Sequence, residues 1–264
     1  MTAATLCLLF FMNSWLGAVQ VQPSTIEQKE AFLKEGKVTR TRGTSQGITG
    51  VRRATLEKDG FRHEASIQTI DQSKAVFQTD RGTELNFRDT YKFNLAADRL
   101  GRLLGLNNIP PSVERSYDGR PASFTWWVDD LLMVELDRIK KKIEPPDVDR
   151  WNKQMYLVRV FDQLIYNVDR NLGNLVIDKS WKLWMIDHTR TFRRQTDLKD
   201  VKNLVKCDRV LLDGMKKLNK EQLKSELGEW LNDAEIDGLL ARSAKIVDFF
   251  EKAGPGALYD WLPR

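Results

Sequence analysis

The stretch that decides the fold lies in the middle of the chain and reads Asn167-Val168-Asp169-Arg170-Asn171-Leu172-Gly173-Asn174. Asp187 follows Asn174 by thirteen residues and comes directly after the apolar run Trp184-Met185-Ile186. Asp169, Asn174 and Asp187 each carry side-chain oxygen, and a loop followed by a short hairpin could bring the three together. The pattern therefore predicts a polar site made from two segments that are close in sequence.

The residues around this stretch predict the loop and the hairpin separately. Trp151 to Tyr166 place apolar side chains on one helical stripe, which indicates a buried amphipathic helix that ends at the polar run from Asn167 to Gly173. Leu175 to Ile177 and Trp181 to Ile186 have the composition of two short strands, joined by a turn. Such a hairpin would fold the chain back and bring the three oxygen-bearing side chains to one face.

The chemistry that suits these side chains is phosphoryl transfer from Mg-ATP. An Asp in a tight loop can accept the proton of the attacking hydroxyl, while an Asn five residues later and a further Asp hold the metal ions. Oxygen ligands of this kind favour hard cations such as Mg²⁺ or Mn²⁺. Taken singly, each residue is more typical of an ordinary turn or a strand-end cap. The spacing of all three together favours the phosphoryl-transfer interpretation.

The motif Asp-Arg-Asn-x-x-Asn, followed by an apolar-Ile-Asp ending, resembles that of atypical kinases of the protein-kinase-like fold. Phosphatidylinositol 3-/4-kinases, HipA-like kinases and Four-jointed-type secretory-pathway kinases share the pattern, and a group of uncharacterised exported bacterial proteins has nearly the same signature. The resemblance extends from Lys37 to about Cys207. It implies Asp169 as the catalytic base with Arg170 beside it, and Asn174 and Asp187 as metal ligands, with ATP and Mg²⁺ or Mn²⁺ as cofactors.

The resemblance implies an α+β chain with a two-lobed protein-kinase-like fold. Residues 1–18 are expected to form a signal peptide and residues 19–36 a linker that includes a short polar helix. Residues 37–128 are expected to form a sheet-rich N-terminal lobe with one helix. Residues 129–264 would then form a mainly helical C-terminal lobe that carries the catalytic loop and the metal-binding hairpin.

Two further segments are candidates for nucleotide binding. Gly43, Gly47 and Gly50 punctuate a loop between two strand-like segments, and backbone N–H groups in such a loop could cover the phosphates of ATP, although a plain hairpin loop is an equally good interpretation. In the kinase fold, the segment that contains Trp127 and Val128 would meet the adenine through backbone groups. A simple role for these two residues in the core is the alternative.

The sequence departs from the kinase pattern at the strand where a lysine should bind the phosphates. Gln68 occupies that place, and Asn94 stands where the following helix should present a glutamate. An amide pair keeps a possible hydrogen bond but loses the cation, which Arg52, Arg53 or Arg62 could supply from another strand.

Two functions remain open at this point. The first is a phosphotransferase that acts on a hydroxyl of a protein, sugar or lipid, with Arg170 and Arg190 binding loop backbone or phosphate. The second is a catalytically silent binding or regulatory module of the same fold. The absence of a lysine at position 68 is the feature that distinguishes them, because an active phosphotransferase needs another cation for the phosphates and a silent module does not.

Composition excludes several other classes of protein. The chain has 264 residues, 41% hydrophobic and 30% charged, which is ordinary for a globular protein. Only two His and two Cys are present, and their spacing fits no zinc site. Neither His lies near a Gly-x-Ser-x-Gly motif, so a Ser-His-Asp hydrolase is excluded. The net charge of +5 is modest and the basic residues alternate with acids, so we expect no nucleic-acid partner.

The N-terminal residues suggest export. Leu6 to Leu16 is an apolar stretch of signal-peptide length, with small residues before Val19 that suit cleavage. The stretch is too short for a firm membrane span, and no Lys or Arg precedes it. We therefore expect an exported, periplasmic or extracytoplasmic protein, loosely anchored if the segment stays uncleaved. A buried N-terminal helix is the alternative. After cleavage only Cys207 remains, so no intramolecular disulfide can form.

Overall fold

The computed structural model describes residues 22–43, 51–79 and 82–263. Its first half contains two helices and seven strands: α1 (Ile26–Glu35), β1 (Lys37–Gly43), β2 (Arg52–Lys58), β3 (Phe61–Gln68), β4 (Asp71–Thr79), β5 (Gly82–Thr90), α2 (Lys92–Leu103), β6 (Ser112–Tyr117) and β7 (Arg120–Trp126). Its second half is mainly helical: β8 (Leu131–Val134), α3 (Glu135–Lys140), α4 (Val148–Leu164), β9 (Leu175–Asp178), β10 (Leu183–Met185), β11 (Cys207–Asp208), α5 (Arg209–Lys217), α6 (Lys220–Leu227), α7 (Asp233–Ala253) and β12 (Leu258–Tyr259). No helix within these ranges is both long and apolar enough to cross a membrane.

The first half is built around a five-stranded antiparallel sheet in the order β1-β2-β3-β7-β6. The hairpin of β2 and β3 turns at Asp59 and Gly60, and that of β6 and β7 at Asp118 and Gly119, all four with positive φ. Two successive left-handed residues are what a two-residue hairpin turn needs, and Asp-Gly supplies them at low cost. Asp-Gly at positions 59–60 and 118–119, between strand-like segments, predicts these two hairpins from the sequence, and both are confirmed.

Helix α1 covers one face of this sheet and belongs to it. Thr25 begins the helix with a reciprocal capping box to Gln28, which satisfies backbone groups that would otherwise lack partners. Phe32 and Leu33 are buried in the same apolar cluster as the inward-facing residues of the sheet, such as Ile67. The segment expected as a linker or short helix thus contains a helix that is part of the sheet lobe, which we define as α1 with β1, β2, β3, β6 and β7.

A second hairpin, formed by β4 and β5, was not predicted from the sequence. It pairs from Asp71 with Thr90 to Thr79 with Gly82 and forms no ladder with the main sheet. At its base, Thr90 N donates to Thr189 O at 3.0 Å, so the hairpin is joined to the chain just beyond the predicted metal ligand. Most of its side chains are exposed, which is why no core pattern revealed it.

The second half, which we call the helical lobe, is built around α4. The expected buried stripe is present, since Val158, Phe161, Leu164 and Ile165 are buried. The predicted hairpin is also confirmed, because β9 and β10 pair antiparallel, with β8 on the other side of β9. Helix α2 joins this core rather than that of the sheet, with Leu100 in the same apolar cluster as Phe161.

One helix expected in the helical lobe begins later than predicted. The sequence from Lys202 to Leu212 looks helical throughout, but α5 starts at Arg209. Asp208 caps its first turn by accepting from the backbone N–H groups of Val210 and Leu211, and strand β11 precedes the cap because it pairs with the distant β12. A pairing partner fifty residues away cannot be read from local periodicity.

Candidate active site

A cleft of about 790 Å³ lies where the sheet lobe, the β4–β5 hairpin and the helical lobe meet. The sheet contributes Ser66 and Gln68 on β3 and Thr125 on β7, followed by the connection to β8. The helical lobe contributes the loop after α4 and the end of β10. All three of the predicted oxygen-bearing residues line this one cleft: Asp169, Asn174 and Asp187.

The loop that carries Asp169 is shaped by its own asparagines. Asn167 accepts the backbone N–H of Asp169 at 2.9 Å, and Asn171 accepts that of Gly173 at 2.9 Å at the start of a single 3₁₀ turn. The side-chain amide of Asn174 donates to Asp169 O at 3.3 Å. Asn167 and Asn171 are thus turn formers, as the plain interpretation expected. The bond made by Asn174 fixes its amide nitrogen and orients its side-chain oxygen.

Arg170 lies behind this loop and does not line the cleft. Its guanidinium donates to Asp162 on α4 at 3.0 Å and to the backbone carbonyls of Asn174 and Ile186 at 3.0 and 2.9 Å. The sequence analysis placed Arg170 beside the catalytic base, with loop backbone or phosphate as its partner. In the structure its guanidinium contacts loop backbone and connects the loop and the hairpin with α4.

Asp187 stands at the meeting point of loop, hairpin and sheet. Ile186 N donates to Asn174 O at 3.1 Å, which joins the end of β10 to the loop. The backbone of Asp187 has a φ of +55°, a left-handed conformation that Asp tolerates better than most residues. One oxygen of its carboxylate accepts hydrogen bonds from Gln68 Nε2 at 3.0 Å and Thr189 Oγ1 at 3.3 Å.

Gln68 and Asn94 form the amide pair that the sequence suggested. Asn94 Nδ2 donates to Gln68 Oε1 at 2.5 Å, and Asn94 Oδ1 accepts the backbone N–H of His188 at 2.8 Å. Both side chains are buried, and Ser123 accepts a further bond from Asn94. Burial raises the cost of any missing partner, so the two amides are used as a connected network. The chain from Asn94 through Gln68 to Asp187 links α2 to the predicted metal ligand.

The cations proposed to replace the lysine lie elsewhere. Arg53 pairs with Glu64 and stacks 4.1 Å from the ring centroid of Trp127, and Arg62 pairs with Glu57 at 2.8 Å. Neither of these side chains lines the cleft, nor does the exposed Arg52. The expectation that one of the three supplies the cation is therefore wrong. Arg190 does line the cleft.

The glycine-punctuated loop is only partly described. Gly43 ends β1 in open space and does not line the cleft, so it gives no support to a phosphate-covering role. Gly47 and Gly50 lie outside the described residues. Val51, directly after them, does line the cleft.

Trp127 and Val128, on the connection between the lobes, both line the cleft. Trp127 N donates to Glu64 O at 3.1 Å and extends the sheet by one bond. The next residue, Asp129, accepts from His63 Nε2 at 2.6 Å and Trp126 Nε1 at 3.0 Å. Partial burial alone would raise the pKa of Asp129, but these hydrogen bonds outweigh it and lower the pKa to about 2. The connection is thereby fastened to the sheet.

The sequence analysis did not predict the part of the cleft that the β4–β5 hairpin forms. Phe77, Phe87 and Asp89 line the cleft from these strands. Asp89 is buried, its Oδ1 has no hydrogen-bond partner among the described residues, and burial raises its pKa. The alternation of Val76 to Gln78 and Leu85 to Phe87 around a central Asp-Arg-Gly could have revealed the hairpin.

The residues present fit a metal ion that arrives with a phosphate ligand. Within the described ranges, no group of three or more His, Cys, Asp or Glu side chains could hold a metal ion by itself. Asp187 supplies a carboxylate and Asn174 an amide oxygen. Mg²⁺ commonly binds to one or two carboxylates together with substrate phosphates and water, so this small donor set suits it.

Comparison with known proteins gives a fold but no close relative. No protein-family model and no curated protein matches the sequence. Among solved structures, hydra Fam20 with sugar aligns with a TM-score of 0.61 and 12% identity over 89% of this chain and 92% of that chain. The Golgi casein kinase aligns with a TM-score of 0.57 and 13% identity, and its form with Mn/ADP bound with 0.58 and 12%; in both cases 89% of this chain and 78% of the other is covered.

The chain has an atypical protein-kinase-like fold. The α+β architecture expected from the catalytic-loop motif is therefore confirmed, and the alignment covers most of both chains. Within this kinase-like fold, the amide pair of Gln68 and Asn94 occupies the inner end of β3 and the facing side of α2. The kinase-like cleft of this chain thus has a neutral amide network where the family pattern places an ion pair.

Proposed function

We propose that the protein is a phosphotransferase that uses ATP and Mg²⁺ or Mn²⁺ and acts on a hydroxyl of a protein, sugar or lipid. The observation that supports this is the arrangement of Asp169, Asn174 and Asp187 on one cleft, opposite the connection formed by Trp127 and Val128. A structural neighbour, the Golgi casein kinase, carries Mn/ADP, which is consistent with a nucleotide and a divalent metal in a cleft of this fold.

Each residue of the cleft has a distinct role in this proposal. The Asp169 carboxylate would accept the proton of the attacking hydroxyl as that oxygen bonds to the γ-phosphorus, while the bond from this phosphorus to the bridging oxygen breaks and ADP leaves. Asn174 and Asp187 hold the metal ion, which neutralises charge on the transferring phosphoryl group. Backbone groups of Trp127 and Val128 would bind the adenine. Arg170, outside the cleft, would hold the loop and the hairpin in their positions relative to each other.

A catalytically silent module of the same fold is the second candidate. It is favoured by the bond from Gln68 Nε2 to Asp187, because this bond uses part of the carboxylate that the metal would need. It is also favoured by the absence of a lysine at position 68. A module of this kind would bind nucleotide weakly or not at all and would act through its surface.

The substitution Asp169→Asn separates the two candidates. The change is nearly isosteric, so the fold and most of the nucleotide affinity should be retained. Phosphoryl transfer should fall at least ~100-fold, the lower end of what general-base catalysis contributes. We would measure autophosphorylation and slow hydrolysis of γ-labelled ATP with Mn²⁺. Asp149→Asn on the exposed start of α4 is the matched control and should keep the wild-type rate.

Equal background rates for the wild type and Asp169→Asn would contradict the phosphotransferase and support the silent module. A measurable wild-type rate that only the Asp169 change removes would support the enzyme. Nucleotide affinity is determined for all three proteins in parallel, so that a loss of binding is not mistaken for a loss of chemistry.

We also propose that the chain is exported. The support is the apolar stretch from Leu6 to Leu16 and the small residues before Val19, which lie outside the described residues.

A further inference from the structure

Within the described residues, the cleft carries one candidate for the cation that a phosphate chain requires. Among the residues that the structure describes, Arg190 is the only Lys or Arg that lines the cleft. Residues 44–50, which precede Val51 and are not described, contain neither Lys nor Arg in the sequence. The cleft also presents the carboxylates of Asp89, Asp169 and Asp187. A polyphosphate entering this acidic site therefore needs positive charge from Arg190 as well as from metal.

Arg190 lies three residues beyond Asp187, on the same wall as the predicted metal ligand. Its Nη2 is 3.1 Å from a carboxylate oxygen of Glu84 on β5, and its guanidinium carbon lies 5.3 Å from the ring centroid of Phe87. Its Nε is buried without a hydrogen-bond partner within the described part of the chain. The guanidinium is thus oriented by a carboxylate and packs against an aromatic ring, on a residue that lines the cleft.

Glu84 does not fully neutralise Arg190, because it serves two arginines. Its other oxygen lies 2.6 Å from the guanidinium of Arg193, which is 4% exposed and also donates to Arg88 O at 2.5 Å. The buried Arg242 donates in turn to Arg193 O at 2.8 Å. One carboxylate is thus shared between two guanidinium groups, and the Asp89 carboxylate interacts with both of them from β5. These contacts connect the segment from Arg190 to Arg193 with the β4–β5 hairpin and with α7.

We propose that Arg190, oriented by Glu84, supplies the phosphate-binding cation of this cleft in place of the lysine that is absent at Gln68. The inference rests on the proposed nucleotide-dependent function and identifies how the chain compensates for its neutral amide pair. A guanidinium suits this task because its planar array of donors matches phosphate oxygens in a bidentate manner. The Glu84–Arg190 pair thereby takes over the orienting role of a Lys–Glu pair, from the β4–β5 hairpin instead of from α2.

The test is the affinity of adenosine, AMP, ADP and ATP for the full chain in the presence of Mn²⁺, measured by calorimetry. Arg190→Ala should weaken ATP binding about 10- to 100-fold, the effect of one charged hydrogen-bonding group, and leave adenosine binding unchanged. The loss should grow with the number of phosphates. Arg190→Gln, which removes the charge but keeps a donor toward Glu84, should show the same dependence if the alanine variant folds poorly.

Arg194→Ala is the matched control, because Arg194 lies in the same segment and reaches Asn86 on the hairpin but does not line the cleft. It should bind every nucleotide as the wild type does. Adding Gln68→Lys to Arg190→Ala should recover ATP affinity by returning a cation to β3. Glu84→Gln should give a smaller loss than Arg190→Ala, since it removes only the orienting charge.

Two results would overturn the proposal while leaving the proposed function intact. One is an equal loss for adenosine and ATP in both Arg190 variants, which would mean a structural role. The other is a phosphate-dependent loss in Arg81→Ala, at a residue that lies between β4 and β5 in the sequence, but not in Arg190→Ala. Failure of the wild type to bind any nucleotide would instead overturn the proposed function together with this inference.

Discussion

Asp187 combines an unusual backbone conformation with several hydrogen bonds at one position of the cleft. It lies two residues after β10 in a left-handed conformation and accepts two hydrogen bonds on one carboxylate oxygen. Backbone strain of this kind is found at functional sites, where the surrounding structure enforces it. Here the enforcing contacts are the bond from Ile186 N to the loop and the amide of Gln68. The second carboxylate oxygen is the one that a metal ion would use.

Asp187→Ala should abolish the metal-dependent part of nucleotide binding, because the metal would lose its only carboxylate in the pair with Asn174. Calorimetry with ATP in Mn²⁺ and in a chelator should show a difference in the wild type and none in the variant. Asp149→Ala, at an exposed carboxylate on α4 that does not line the cleft, is the control and should behave as the wild type. An unchanged Mn-ATP affinity in Asp187→Ala would defeat the site assignment.

Among the elements, helix α4 is the support on which the catalytic loop rests. Asp162 in its last turn and the buried Arg170 form an ion pair, and the same guanidinium binds backbone carbonyls of the loop and of the residue before Asp187. One side chain therefore sets the spacing of three segments. A pair of this kind matters chiefly because each partner is costly to leave alone in a buried site.

Arg170→Ala should destabilise the fold by about 3–5 kcal/mol, since Asp162 loses its ion-pair partner and two carbonyls each lose a donor. Urea unfolding followed by circular dichroism would measure this. Lys153→Ala removes an exposed ion pair with Asp149 on the same helix and should cost about 1 kcal/mol or less. Equal effects of the two substitutions would show that Arg170 is not the structural link inferred from its contacts.

The connection between the lobes should respond to pH through Asp129. Its pKa is about 2 in the folded chain against an ordinary value of 3.8, so the ionised form stabilises the fold above about pH 4 and this contribution is lost as the pH falls toward 2. The side chain is 44% exposed, so solvent screening limits the contribution to about 1 kcal/mol.

Asp129→Asn should accordingly lower the free energy of unfolding by about 1 kcal/mol near neutral pH and have little effect near pH 2.5. Urea unfolding of the wild type and the variant over this range would measure the difference. A difference that stayed constant with pH would mean that the hydrogen bonds, and not the charge, stabilise the connection. Asp118→Asn, on a remote exposed turn of the sheet, serves as the control.

At the scale of the whole molecule, the cleft lies between two separate apolar cores. One core lies between α1 and the sheet, and the other unites α2 with the helical lobe. The β4–β5 hairpin lines the cleft and also contacts the helical lobe, where its Arg88 is paired with the buried Glu235 of α7 at 2.5 Å. A ligand in the cleft would contact all of these parts at once and should stabilise the molecule as a whole.

Thermal unfolding should therefore shift when nucleotide and metal are added together. At a ligand concentration about 100 times Kd, binding adds about 2.7 kcal/mol, which corresponds to an increase in Tm of about 5–10 °C for a chain of this size. ATP, ADP and GTP would be screened with Mg²⁺ and with Mn²⁺. Metal alone should give a smaller shift, because its donor set is incomplete without phosphate. No shift with any combination would argue against a nucleotide site.

Local patterns in the sequence determined a large part of this protein. The asparagines and glycine of the catalytic loop, the apolar stripe of α4 and the Asp-Gly turns at Asp59 and Asp118 specify structure over a few residues, and each appears as predicted. The resemblance of the motif from Asp169 to Asn174, with Asp187 after it, to atypical kinases implied the kinase-like fold, while local patterns predicted the loop and the hairpin. The exchange of the Lys–Glu pair for Gln68 and Asn94 was also visible in the sequence.

Only the tertiary structure decided which side chains face the cleft and which support it. Arg170 and Arg190 look alike in the sequence, yet one is turned toward Asp162 behind the loop and the other toward Glu84 at the cleft. Their partners lie eight and 106 residues away, so no local rule could distinguish them. The β4–β5 hairpin escaped prediction for the same reason, because its place is set by contacts with Thr189 and Glu235 and not by a buried face of its own. Local propensity determines the elements, whereas charge pairing and burial between distant segments determine the composition of the site.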